Sequence, residues 1–377
     1  MALSDPYTPD IEDRVRRDIR HHHRVSAVPV GGLETALEVQ HGTLEVQFSE
    51  DWSPHIQAKL TAKVSDDADL LDLLDPRAGC RLVIDAGYIL PGNVEDVHLL
   101  ADVGLRSREV KRPDNTVVLS ALSDEARAQD YVLQWGAQRM PTTGVPEAVR
   151  WLAGYALLPE VPVVVSDFPN GHKASALTDF MLDVGSDLWN PMEDIAARAD
   201  LWVHCDGERR WRIRSRPQTG GTVAHRLEVG QSGTLLSTDS TLSRDTFYNA
   251  AVLEYRWKDA AGIERTVYGR AQVSTGDYSV HRAGYKTFFQ RYERPITQAQ
   301  ADAAAATRVR NLVTRGRSLS LTAAAAYWLR PGMTAAVTLP TGSAEPHIVQ
   351  SITFQPSNGL MSLTTRQPLN VTIETGE

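Results

Sequence analysis

The sequence predicts a mainly β protein with some α-helix (α+β), in which two β-barrel-like domains flank a mixed α/β middle. Between Val25 and Leu122, about five short segments alternate apolar with polar residues, which is the period of a half-buried strand and is typical of a small barrel or sandwich. A second strand-rich region fills the C-terminal third of the chain. The region between them has two helical patterns and one hairpin.

Composition argues against several classes of protein. The chain has 377 residues, and 39 Lys and Arg against 47 Asp and Glu give a net charge of −8. Its 42% hydrophobic and 23% charged residues argue against disorder, and no apolar run approaches the roughly 20 residues of a membrane-spanning helix. The acidic balance argues against a protein that grips nucleic acid over a broad surface. We expect a soluble, multidomain protein without a signal peptide or stable membrane insertion.

The two cysteines, Cys80 and Cys205, are too few for a disulfide scaffold or a cysteine zinc site, which favours a reducing compartment. Changes in composition and in the pattern of apolar residues divide the chain into four segments. These are a basic N-terminal arm at 1–24, an N-terminal β-barrel-like domain at 25–125, a mixed α+β middle domain at 126–235, and a C-terminal β-rich domain with one Ala-rich helix at 236–377.

The arm contains Arg14, Arg16, Arg17, Arg20 and Arg24 together with the run His21–His23. Adjacent histidines share no face of a helix or a strand, which argues against a metal site. We interpret this arm as solvated or in contact with a partner.

Strands are predicted by period-2 alternation and by flanking turn residues. The predicted strands are 45–48, 60–64, 81–89, 97–105, 116–122, 248–257, 264–270, 318–324, 334–339, 347–354 and 360–366. The acidic segment Ser65–Asp75 lacks the ligand spacing, the glycine and the terminal glutamate of an EF-hand. Its four leucines indicate a short buried turn with a solvated acidic face.

Helices are predicted where apolar residues recur on one face. One begins at Pro146 and ends before Pro159; another begins with Asn190 as its N-cap. Thr297 and Gln300 form a capping-box pattern that opens the Ala-rich helix, which is predicted to end at Gly316.

A hairpin pairs 201–205 with 211–214, and its His204 is expected to be a core histidine rather than a metal ligand. A phosphate loop, a nucleophile elbow, an HExxH helix and a CxxC pair are all missing from the sequence, so we nominate no catalytic, cofactor-binding or metal-binding residues. Asp277 with Tyr278 and His281 is the least unfavourable catalytic cluster, and a loop explains these residues equally well.

Aromatic and basic residues interleave between Tyr278 and Arg294. This pattern can serve single-stranded nucleic acid, but tyrosine and arginine also anchor protein interfaces, and the protein is acidic. We interpret the segment as an inter-domain or inter-subunit contact.

The arrangement resembles the hub proteins of phage tail tips and baseplates, known in actinobacterial phages as minor tail proteins. The features that carry the resemblance cover roughly residues 25 to 370, and residues 10–24 have no counterpart in it. The features that carry the resemblance are Val25–Val30, Ser123–Asp124, Asn249–Tyr255, the connection ending in Tyr292–Pro295, the Ala-rich helix, Leu329–Gly332 and the closing hairpin to Arg366.

The resemblance implies a structural role in the virion, for a protein made in the host cytoplasm. Such hubs form homotrimeric rings, with two barrel-like domains per subunit, that adapt a hexameric tail tube to a threefold tip. They contact the distal tail protein, the tape-measure protein, and spike or receptor-binding proteins. DNA passes through their channel as transient cargo.

Three alternatives remain open. The chain is another tail component, such as a distal tail or receptor-binding protein; or a tail-associated hydrolase of cell walls or glycans; or the corresponding part of a related injection machine. A turnover assay on cell walls separates the enzyme from the structural classes.

Overall fold

The fold is mostly β, with 46% of the described residues in strands and 19% in helices, which confirms the predicted class. It is described by a computed structural model. The structure describes residues 6–8, 10–16, 19–64, 68–134, 138–140, 144–167, 181–182, 184–199, 201–215, 217, 220–230, 233–259, 261–293, 295–314, 317–339, 342–369 and 371–376. Parts of several predicted features, namely Arg17, Ser65–Asp67, Arg294 and Gly316, lie outside these residues.

Helices and strands follow in chain order. The helices are α1 Ile11–Val15, α2 Ala68–Leu73, α3 Glu125–Asp130, α4 Val145–Leu157, α5 Trp189–Arg198, α6 Val280–Ala283 and α7 Gln298–Val313. The first strands are β1 Arg20–Val28, β2 Thr35–Ala36, β3 Glu45–Ser49, β4 Ile56–Lys63, β5 Arg81–Leu90, β6 Val94–Lys111, β7 Thr116–Leu122, β8 Gln138–Arg139, β9 Val164–Asp167, β10 Met181–Leu182 and β11 Leu201–Cys205. The remaining strands are β12 Trp211–Ser215, β13 Val223–Glu228, β14 Leu235–Leu242, β15 Ala250–Lys258, β16 Glu264–Val273, β17 Thr287–Tyr292, β18 Arg317–Ala324, β19 Thr334–Thr338, β20 Ala344–Gln355, β21 Leu360–Arg366 and β22 Ile373–Thr375.

One 13-stranded sheet dominates the described part of the chain, in the order β14-β18-β21-β20-β3-β4-β7-β6-β5-β1-β2, with β13 and β19 joined at β20. Its N-terminal and C-terminal strands meet where β3 pairs antiparallel with β20, Ser49 opposite Ser351 and Val46 opposite Phe354. Strands from the two ends of the sequence therefore share one sheet.

The prediction of two β-barrel-like domains is wrong, because the sheets are open. A barrel requires the N-terminal strands to close on one another. Instead, the edge of β3 that faces away from β4 is paired with β20, and β2 ends the path on the opposite side.

The prediction of a separate arm is wrong for Arg20–Arg24, although Arg20 and Arg24 are exposed to solvent as expected. These residues belong to β1, which pairs along its length with β5. The His21 ring lies 5.3 Å from that of Tyr88, and its Nδ1 is 3.1 Å from Oη of Tyr327. Burial lowers the pKa of His21 to about 4, so the imidazole is neutral at pH 7. A strand turns alternate side chains to one face, and on that face His21 packs against the rings of Tyr88 and Tyr327.

Two smaller cores lie beside the large sheet. In the first, helices α3, α4 and α5 pack with the sheet β11-β12-β9. The predicted hairpin is confirmed, as is the helix that begins near Pro146. The second core lies between α7 and the sheet β17-β15-β16-β22, and the capping box of Thr297 and Gln300 is confirmed.

The predicted N-cap at Asn190 is wrong. The helix begins at Trp189, with Leu188 at the N-cap position, and the backbone N–H of Asn190 donates to Oδ1 of Asp187 at 2.7 Å. The carboxylate three residues upstream therefore satisfies an N–H that the helix itself leaves without a partner.

Candidate functional site

A cleft of about 700 Å³ lies where the three cores meet. One wall comes from residues 50–55, which connect β3 to β4. The second wall is formed by α5 and β11, and the third by α7 with β15 and β17. The cleft therefore joins segments that are far apart in the sequence.

Stacked aromatic rings line part of this cleft. The rings of Trp202 and His204 stack with centroids 3.9 Å apart, and His55 lies 4.6 Å from His204. His204 is buried in β11, as expected of a core histidine. Burial lowers the pKa of His55 to about 3, so this imidazole is also neutral at pH 7.

Glu125, at the start of α3, is a fully buried carboxyl in the lining of the cleft. Its Oε1 accepts the backbone N–H of Cys205 at 2.7 Å and that of His55 at 3.4 Å. Its Oε2 has no hydrogen-bond partner among the described residues. Burial raises the pKa of Glu125 to about 7, because a carboxylate is costly in such surroundings. Sequence reasoning missed this residue, since nothing local marks it as buried.

Two partly buried arginines lie near the cleft without lining it. Nε of Arg209 donates to Asp124 at 2.8 Å, and its Nη2 donates to Glu160 at 2.6 Å. Arg214 lies 4.6 Å from the Trp202 ring and donates to the carbonyl of Pro331 at 3.0 Å. The bond from Arg214 to Pro331 links the middle core to the turn that precedes β19 of the large sheet.

Residues singled out in the sequence take different places. Asp277 forms an exposed ion pair with Arg282, and the carbonyl of Tyr278 accepts from Nδ2 of Asn249 at 3.0 Å. Neither they nor His281 lines the cleft. Cys80 and Cys205 are free and buried. The described residues contain no group of three or more His, Cys, Asp or Glu side chains suited to a metal ion.

The acidic segment contributes to packing. α2 covers its second half, and Leu74 is fully buried in the core of the large sheet. The prediction of a short buried turn is confirmed for these residues.

The aromatic and basic segment forms β17, an edge strand, and its surroundings. Tyr292 stacks on Tyr255 with centroids 5.0 Å apart, and Nε of Arg291 donates to Glu254 at 2.6 Å. Tyr285 and Phe289 are 64% and 53% exposed. The segment thus packs on one side and presents aromatic rings on the other. Its role as an interface stays a prediction.

No helix among the described residues is long and apolar enough to cross a bilayer.

The sequence matches no family model and no curated protein. The fold is similar to that of a 43 kDa tail protein from prophage MuSo2 of Shewanella oneidensis, with a TM-score of 0.62 and 11% identity over 92% of this chain and 98% of that one. A tail protein from Neisseria meningitidis MC58 gives a TM-score of 0.62 and 13% identity over 92% and 96%. Prophage tail protein gp18 from Listeria monocytogenes EGD-e gives 0.52 and 8% over 91% and 94%. The chain therefore has a fold found in phage tail proteins.

Proposed function

We propose that this chain is a structural component of a phage tail tip, and that three copies form a hub ring. In this proposal the ring joins the distal tail protein and tail tube to the tip, and lines the channel for the tape-measure protein and DNA. Spike or receptor-binding proteins attach below it. An actinobacterial phage is the source suggested by the sequence resemblance.

The observation that carries this proposal is the extent of the fold similarity. It covers 92% of this chain and 98% of the Shewanella prophage tail protein, so it includes all three cores rather than one common module. The net charge of −8 also suits a channel wall that must let DNA pass without retaining it. The proposal includes no catalytic role, and the fold is shared with proteins named for the tail rather than for a reaction.

Negative-stain electron microscopy of the purified chain at high concentration tests the ring. Threefold particles with a central hole or plug are expected. Symmetric dimers or compact single-domain particles would contradict the hub, and release of soluble fragments from purified cell walls would favour a hydrolase. The boundaries after residues 24, 125 and 235 stay predictions, and limited proteolysis followed by mass spectrometry tests them.

A further inference from the structure

The lining of the cleft has more negative than positive charge. Asp51, Glu193 and Asp194 contribute carboxylates, whereas Arg308 is the one Lys or Arg among the lining residues that the structure describes. Arg308 is already engaged, since its Nη2 donates to Gln290 at 2.6 Å and its guanidinium lies 4.6 Å from the Phe288 ring. The remaining lining acids are Glu50, which is paired with Arg366 outside the lining, and Glu125.

Two of these acids have an unsatisfied group within the described part of the chain: Glu193 has no counter-ion, and one carboxyl oxygen of Glu125 has no hydrogen-bond partner. Glu193 is exposed on α5 and has no ion-pair partner among the described residues. Glu125 is fully buried, and its Oε2 has no hydrogen-bond partner among the described residues. A buried polar atom without a partner is uncommon, and it indicates a site that something else completes.

Aromatic rings line the same cleft as these acids. Trp52 lines the cleft and is 48% exposed, and Tyr292 lines the opposite wall. Carboxylates next to aromatic faces are suited to a cation, because the ring quadrupole and the negative charge both attract it.

We propose that this cleft binds an arginine or lysine side chain presented by a partner protein. The volume of about 700 Å³ lies within the range of pockets for small ligands and accommodates a long side chain with its flanking residues. A neutral glycan would stack on the same rings but would gain nothing from the excess of acids. The choice of a protein as the partner rests on the proposed function; the preference for a cation does not.

The test is a titration of the full chain with acetyl-triarginine-amide, followed by calorimetry and by tryptophan fluorescence. We expect binding at low salt that weakens strongly at about 0.5 M salt, where charges are screened beyond a few ångströms. Glu193→Gln should reduce affinity about fivefold, the equivalent of one exposed ion pair, and Glu193→Lys should reduce it further. Asp114→Asn, an exposed acid in the turn between β6 and β7, is the matched control and should bind as the unaltered chain does.

Equal affinity in Glu193→Gln and the unaltered chain would overturn the inference, as would equal losses in Glu193→Gln and Asp114→Asn. Binding of an N-acetylglucosamine trimer in place of the peptide would identify a glycan cleft instead. If the chain forms threefold rings in negative stain but does not bind the peptide, the cation-binding cleft is rejected and the hub is not. If it binds the peptide but forms no rings, the hub is rejected and the cation-binding cleft is not.

Discussion

Arg366 on β21 and Glu50, which follows β3, form a buried ion pair although 316 residues separate them, with Nε of the arginine 2.7 Å from Oε1 of the glutamate. Both side chains are only 3% exposed. A second arginine nitrogen, Nη2, donates to the carbonyl of Pro217 at 2.6 Å. The pair lies beside the junction of β3 with β20, so it holds together strands from opposite ends of the chain.

Replacing the arginine should therefore be costly. We expect Arg366→Met to lower the free energy of unfolding by about 3–5 kcal/mol, because it leaves a buried carboxylate without compensation. The double variant Glu50→Gln with Arg366→Met should recover part of that loss. Urea unfolding followed by circular dichroism gives the values.

The matched control is Arg265→Met, which removes an ion pair with Asp259 in which the arginine is 56% exposed. It should cost less than about 1 kcal/mol. Similar losses at the two positions would show that the buried pair contributes no more than a surface pair.

Glu125 should make stability depend on pH. Its folded-state pKa of about 7 lies above the ordinary value of 4.5, so the folded chain holds a proton that the unfolded chain releases. The contribution of Glu125 to the free energy of unfolding is thus full below pH 4.5 and is lost as the pH rises to 7. His55 acts oppositely: its pKa is lowered from 6.5 to about 3, so its contribution is present above pH 6.5 and is lost as the pH falls toward 3.

In the unaltered chain the two effects offset each other between about pH 4.5 and 6.5. In Glu125→Gln only the effect of His55 remains, so the free energy of unfolding should rise more steeply with pH in this window than it does in the unaltered chain. At pH 8 the variant should be no less stable than the unaltered chain. Thermal unfolding from pH 4 to 8 provides the test. Parallel pH profiles for the variant and the unaltered chain would contradict the assignment.

Gly269 on β16 should not tolerate a methyl group. A Cβ there would lie 2.0 Å from the carbonyl oxygen of Ala301, which belongs to α7. Gly269→Ala must push the helix away from its sheet, and we expect a loss of about 1–3 kcal/mol in unfolding free energy.

Gly154 within α4 provides the control, because a Cβ there meets nothing within 4 Å. The expected change in unfolding free energy has the opposite sign. Gly154→Ala should stabilise the protein by about 0.5–1 kcal/mol through helix propensity. A destabilised Gly154→Ala variant would mean that alanine is harmful at both sites for a reason other than contact.

The contribution of the α7 capping box to stability should be measurable with single substitutions. Oγ1 of Thr297 accepts the N–H of Gln300 at 3.4 Å, and the Gln300 side chain accepts the N–H of Thr297 at 3.2 Å. Thr297→Ala should cost about 1 kcal/mol, whereas Thr297→Ser keeps the hydroxyl and most of the stability. An equal loss in both variants would assign the effect to the threonine methyl group.

Local features of this fold could be predicted from the sequence because their signals are local. The alternation in β5 and the capping box at Thr297 each arise from neighbours a few residues away. Pairing between β3 and β20 has no such signal, and so two barrels were predicted where one open sheet exists. The histidines of β1 were assigned to an arm for the same reason, since their partner strand is β5.

The candidate site cannot be predicted from the sequence. The environment of Glu125 is made by His55, in the connection between β3 and β4, and by Cys205, at the end of β11, and its burial depends on how three cores meet. A glutamate that follows an aspartate at the start of a helix otherwise suggests a solvated first turn.

The junction of β3 with β20 also bears on biosynthesis. A ribosome makes β3 and its partner β4 early, and the outer edge of β3 stays without its partner strand while residues 64–343 are added. An unpaired edge of this kind can recruit a strand from another nascent chain. The large sheet cannot be completed until β20, at Ala344–Gln355, has left the exit tunnel, so the yield of native protein should depend on how quickly translation passes this strand.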